Sequence, residues 1–130
     1  MKSEKLETGG SRSEGPQEIG ERAFAFAVRV VKLCQALDER PGVSRTLSNQ
    51  LLRSGTSIGA NLEESKGGQS RADFLSKNSI ALKEARETHY WLRLLTATGT
   101  IPEHQLESLL DEACQITAIL TTIVKKLKSP

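Results

Sequence analysis

Two histidines, two cysteines and a scatter of carboxylates are the side chains best able to do chemistry here, and their spacing limits what that chemistry can be. A di-metal site in a helical protein takes Glu-x-x-His from two helices and a further Glu from each of the other two. At that spacing His89 is preceded by Arg86 and His104 by Ile101. Glu84 with Glu87, and Glu63 with Glu64, are carboxylate pairs lacking imidazole, so no metal and no cofactor are expected. Cys34 and Cys114 each fall inside an apolar helical pattern, with no base beside either. They read as reduced, buried core residues of a cytosolic protein; a disulfide joining the first and last helices is the less favoured arrangement. With no nucleophile arrangement, the chain reads as a non-enzyme without a small-molecule substrate.

One stripe does suggest binding. Lys83, Arg86, Tyr90 and Arg93 follow one another at helical spacing, opposite the Glu84–Glu87 side and with no acidic residue among them. Cations around an aromatic ring suit phosphates and unstacked bases, which makes these four the candidate nucleic-acid contact. The plainer alternative is a solvated helix face. Lys125, Lys126 and Lys128 are already explained by the dipole at a helix C-terminus. The formal net charge of +2 excludes a strongly basic tail, so any positive surface must come from how charges are distributed.

These side chains need elements to position them. The sequence has 130 residues, 37% hydrophobic and 26% charged, enough for one domain with its own core. Residues 1–15 are polar and glycine-bearing and are expected to be a disordered tail with no secretory signal; the domain occupies 16–130. No apolar run is long enough to span a bilayer. Pro41-Gly42, Gly67-Gly68 and Gly99 interrupt a helical pattern, giving helices at about 17–38, 44–66, 71–98 and 101–127. Ser70 with Asp73, and Thr100 with Glu103, have capping-box spacing. Phe74, Asn78, Ala81, Ala85, Thr88, Leu92 and Leu95 step by fours and threes, as do Leu106, Leu109, Ala113, Ile116, Leu120, Ile123 and Leu127. Such seams, joined by short loops, predict an all-α fold: an antiparallel up-down-up-down four-helix bundle.

Two segments depart from that pattern. The second helix carries Gly55 and Gly59 one turn apart, costing up to about 1 kcal/mol each relative to alanine, which implies a neighbouring helix at close approach. The first helix is apolar over too wide an arc. Beside its inward stripe of Ala23, Phe26, Ala27, Val30, Leu33, Cys34 and Leu37 runs a second one, Phe24, Val28 and Val31. A helix so apolar is normally covered on two sides, and a lone bundle offers no second partner, so this stripe is the candidate oligomer interface. Arg53, Asn61, Glu64 and Glu84 fall at or beside seam positions and read as a polar network fixing register between the second and third helices, in preference to a ligand site.

Gln50, Leu51, Arg53, Ser54, Ser57, Ile58, Asn61, Leu62 and Glu64 together match the pattern Q-L-x-R-S-x-x-S-I-x-x-N-[IL]-x-E. Phe74-Leu75, Ile80 to Ala85 and Trp91-Leu92 add a second match. On these residues the chain resembles the small bacterial four-helix-bundle proteins encoded in 23S rRNA intervening sequences, over roughly Glu18 to Leu127. It departs from their pattern at Glu63, where a small residue is usual, and at Ser65, where glycine is usual. The resemblance extends to the accessory variability determinant protein of diversity-generating retroelements, a pentameric barrel that contacts nucleic acid and a reverse transcriptase. It implies a bacterial cytoplasmic homo-oligomer, a pentamer if that ring is shared, acting as an RNA-binding accessory factor or with a nucleic-acid-processing protein. The alternative is a structural or protein-interaction scaffold that binds no nucleic acid.

Overall fold

The structure, a computed structural model, describes residues 16–68 and 70–130; the tail expected at 1–15 lies outside the described residues. Four helices follow in order: α1 (Pro16–Leu37), α2 (Val43–Lys66), α3 (Arg71–Ala97) and α4 (Glu103–Lys128). Each packs on its neighbours in sequence, and α1 closes the ring against α4; among the described residues the backbones of diagonal helices stay apart. The protein is therefore an all-α four-helix bundle in up-down-up-down order.

The loops hold this order from both ends. At one end Arg40, in the α1–α2 turn, donates to the carbonyl of Thr100 in the α3–α4 turn (2.9 Å). At the other, Arg71 opens α3 and donates to the Leu127 carbonyl (3.1 Å), satisfying an acceptor that α4 leaves free at its C-terminus. Gly42 and Gly99 adopt φ of 86° and 71°, left-handed conformations that a side chain would oppose. Ser70 caps α3 by accepting from the Asp73 amide (3.1 Å). The matching cap expected from Thr100 is absent. Proline disfavours the helical conformation in the residue before it, so Ile101 cannot open the helix; Pro102, with φ −58° and ψ 140°, stands as N-cap and α4 begins at Glu103. Thr100 Oγ1 instead meets Thr98 Oγ1 at 2.9 Å. Ile101 and Leu106 are both buried, in the positions of a hydrophobic staple.

The core follows the seams. Phe26, Val30, Leu51, Ile58, Leu92, Leu95, Leu106, Ile116 and Leu120 are fully buried within it. Among the described residues no helix is long and apolar enough to cross a membrane.

The close approach lies between α1 and α2. A Cβ placed on Gly55 would stand 2.9 Å from Val30 Cγ1, so only glycine fits there unless Val30 moves. A Cβ placed on Gly59 would stand 3.6 Å from the Ala23 backbone, an ordinary van der Waals distance. The steric requirement thus rests on Gly55, not equally on both. Beside it the buried Cys34 thiol donates to the Ser48 carbonyl (3.4 Å), and Ser48 Oγ donates to the Cys34 carbonyl (3.3 Å). These two bonds lock the upper half of the seam.

The α1–α4 seam is the sparsest of the four, and polar side chains bridge its rim. Arg22 grips Glu112 through Nε (3.0 Å) and Nη2 (2.8 Å), and Arg29 reaches Ser108 Oγ at 2.8 Å. The Glu112 carboxylate holds the Arg22 guanidinium above its ordinary pKa, against the opposing effect of burial. These contacts draw Arg22 and Arg29, polar side chains of α1, toward α4. The second apolar stripe is left on the other shoulder of the helix.

Candidate nucleic-acid interface

The α3 surface divides into two shoulders of opposite character. Toward α2, Arg53 bridges to Glu84 (3.4 Å) and to Glu87, and Trp91 Nε1 donates to the same Glu87 carboxylate (3.0 Å). Both acidic side chains of this stretch are therefore turned to the α2 side and neutralised there. On the outward and α4-facing side, Lys83, Arg86, Tyr90 and Arg93 are all exposed, Tyr90 by 52%. None of the three cations makes an ion pair with a described residue. Their α3 positions span less than a quarter-turn of arc, as steps of three, four and three require. The Tyr90 ring meets Trp91 edge-on, with centroids 5.1 Å apart and planes 73° apart, which steadies its exposed face.

The proposed polar network is not one cluster. Arg53 and Glu84 do meet, joined by Glu87 and Trp91, which the sequence reading left out. Glu64 binds Lys77 instead (2.6 Å), well along the same α2–α3 seam. Asn61 joins neither; its amide donates to the Ser57 carbonyl of its own helix (2.8 Å). These ion pairs lie at the solvent edge, where each contributes about 1 kcal/mol or less. The buried polar link across the seam lies elsewhere, between the hydroxyls of Ser54 and Thr88 at 2.9 Å. Asn78 is fully buried, and its amide donates to the Phe74 carbonyl (2.8 Å) while Oδ1 has no partner among the described residues. An asparagine within an otherwise apolar seam is the signal of it that the sequence carries.

The interface stripe separates into two exposed residues and one half-buried. Phe24 is 71% and Val28 39% exposed, whereas Val31 is partly covered. Leu52, one turn before Gly55 on α2, adds a further apolar side chain at 37% exposure.

Cys114 departs from expectation most. It is exposed, not a core residue, and its Sγ lies 3.3 Å from His89 Nε2. The spacing of 25 residues hid this pair, because antiparallel helices bring together positions that no local pattern connects. Ala113 and Ile116 carry the seam of α4 inward and leave Cys114 on its flank. Among the described residues no group of three or more His, Cys, Asp or Glu side chains is placed to hold a metal ion.

Comparison with known proteins places this architecture. A crystal structure of a protein with unknown function from the S23 ribosomal protein family of Bacteroides thetaiotaomicron is 45% identical. It superposes with a TM-score of 0.78, over 85% of this chain and 97% of that one. No curated protein matches. The family described as 23S rRNA-intervening sequence protein matches residues 17–122, nearly all of the bundle. The chain therefore belongs to the 23S rRNA-intervening sequence protein family.

Proposed function

We propose that this protein is a non-enzymatic, homo-oligomeric accessory factor that binds single-stranded RNA through Lys83, Arg86, Tyr90 and Arg93. The observation that carries the reading is the set of three cations without an acidic partner among the described residues, arranged around a half-exposed tyrosine. On most protein surfaces such cations are interspersed with carboxylates; here Arg53 and Trp91 hold the nearby carboxylates aside. Phosphate contacts supply affinity and an exposed ring supplies stacking, a combination that tolerates many sequences. Duplex DNA would offer Tyr90 no accessible base face.

The apolar shoulder supports the oligomeric half of the reading. Phe24, Val28 and Leu52 flank the α1–α2 seam; a fully exposed side chain of this kind gains roughly 1.5–3 kcal/mol on burial, most of it still available at Phe24 and under half at the already partly covered Val28 and Leu52. In a ring of four helices this seam lies across the bundle from the α3–α4 seam, so self-association through α1 and α2 leaves the cationic face open. A second copy of the chain is the natural cover. Repetition of the cationic face around a symmetric assembly makes later contacts intramolecular and multiplies a weak single-site affinity.

Filter-binding of single-stranded RNA at two salt concentrations tests the reading. Retention should fall steeply as salt rises, because each neutralised phosphate releases counterions. Arg86→Glu with Arg93→Glu should abolish retention while light scattering shows an unchanged assembly. If the double variant binds like the parent, α3 is a solvated face and the scaffold reading takes its place.

A further inference from the structure

The groove between α3 and α4 shares Arg86 with the RNA-binding reading and adds His89 and Cys114, chemistry which that reading does not use. It is an open pocket of about 270 Å³ lined by Arg86, His89, Cys114 and Thr117. Cys114 Sγ and His89 Nε2 stand 3.3 Å apart, within hydrogen-bond reach for sulfur. With the imidazole proton on Nδ1, Nε2 accepts from the thiol; the thiolate form is the nucleophile in disulfide exchange. Arg86, on the same face one turn earlier, brings a guanidinium with no carboxylate partner among the described residues. A nucleophile, a proton acceptor and a fork for a carboxylate thus open onto one pocket.

We infer that this pocket is a thiol-modification site that takes a small anionic disulfide, with Cys114 as the modified residue and Arg86 holding the disulfide's carboxylate. In the step, the Cys114 thiol proton passes to His89 Nε2 and the sulfur attacks one sulfur of R–S–S–R. The S–S bond of the reagent breaks, a Cys114–S–S–R bond forms, and the departing RS⁻ takes up the proton from the imidazolium. The disulfide is the oxidant, the product is one protein mixed disulfide and one small thiol, and no further electron carrier is needed. The reaction is stoichiometric, not a turnover.

Cys34 supplies the internal contrast. It is buried, its thiol already donates to the Ser48 carbonyl, and burial pushes its pKa up, so it stays a neutral thiol beyond the reach of reagents. Cys114 lies across the bundle from the apolar α1–α2 shoulder and remains accessible when that shoulder is covered.

The test is the rate of mixed-disulfide formation by the full native chain with two aromatic disulfides, anionic dithiobis(nitrobenzoate) and neutral dithiodipyridine. The parent should take up one equivalent quickly, and Cys114→Ser should abolish that phase while Cys34→Ser leaves it intact. His89→Gln should slow both reagents by about tenfold or more, since the thiol loses its proton acceptor. Arg86→Gln should slow the anionic reagent several-fold and spare the neutral one, a difference that a merely structural role would not produce. Circular dichroism of each variant verifies that the helices persist. The inference is overturned if Cys114 reacts only on unfolding, if His89→Gln reacts at the parent rate, or if Arg86→Gln affects both reagents equally.

Discussion

Adding a single methyl group to Gly55 probes the tightest contact of the bundle. Its Cβ would lie 2.9 Å from Val30 Cγ1 and 3.1 Å from Cγ2. Val30 is fully buried, and a β-branched side chain in a helix has one strongly preferred χ1 rotamer, so its methyls have nowhere to swing. Alanine is the better helix former by about 1 kcal/mol, while overpacking costs about 1–3 kcal/mol. Gly55→Ala should therefore lose up to about 2 kcal/mol net. Gly59→Ala supplies the control. It gains the same helix-propensity term, but its Cβ would meet Ala23 at 3.6 Å, an ordinary contact. It should be more stable than the parent by about 0.5–1 kcal/mol. The difference between the two variants cancels propensity and leaves packing, about 1–3 kcal/mol. Trimming the obstacle with Val30→Ala in the Gly55→Ala background should recover part of the loss, a coupling of roughly 0.5–3 kcal/mol in a double-mutant cycle. Urea denaturation followed by circular dichroism measures all four, at matched protein concentration so that any subunit association contributes equally. If Gly55→Ala proves as stable as Gly59→Ala, the helices do not approach closely there and the packing account is wrong.

Two further substitutions address the oligomer and the core. Phe24→Glu places a charge on the most exposed apolar side chain of α1 and should convert the assembly to monomers in light scattering with helicity unchanged; a parent protein that is already monomeric at micromolar concentration would refute the interface. Asn78→Leu removes a fully buried acceptor with no partner among the described residues from an apolar seam, and should raise the denaturation midpoint by the equivalent of about 1–2 kcal/mol. A less stable Asn78→Leu would show that Oδ1 is satisfied in solution, by water or by another chain.

How much of this was legible beforehand depends on the range of the interaction concerned. Hydrophobic period, glycine and proline breaks, and the Ser70 cap are encoded within a few residues, so helix number, approximate limits and most of the inward faces could be read directly from the chain, while Cys114 and the end of the α4 seam, where Val124 is buried in place of Ile123, could not. Even the local rules compete, however. Thr100 and Glu103 have the spacing of a cap, but Pro102 between them constrains the backbone more strongly and takes the position. The surplus apolar arc of α1 was visible for the same reason as the seams: it is a property of one helix.

What the chain alone left undecided is which residues meet between helices, although the antiparallel order of the helices was legible. Gly55 and Gly59 look equivalent in sequence, and only the crossing of α1 over α2 sets Val30 against one and the Ala23 backbone, farther off, against the other. Arg53 has Glu84 and Glu87 within reach by register, while Asn61, an equally polar neighbour on α2, bonds back to its own helix. Cys114 read as core because its helix is amphipathic, yet a position one step off the seam turns outward and meets His89 across the groove. A helix fixes the angle at which each side chain leaves its axis. Which partner waits at that angle is set by where the neighbouring helix lies and in which register, and those are properties of the assembled bundle.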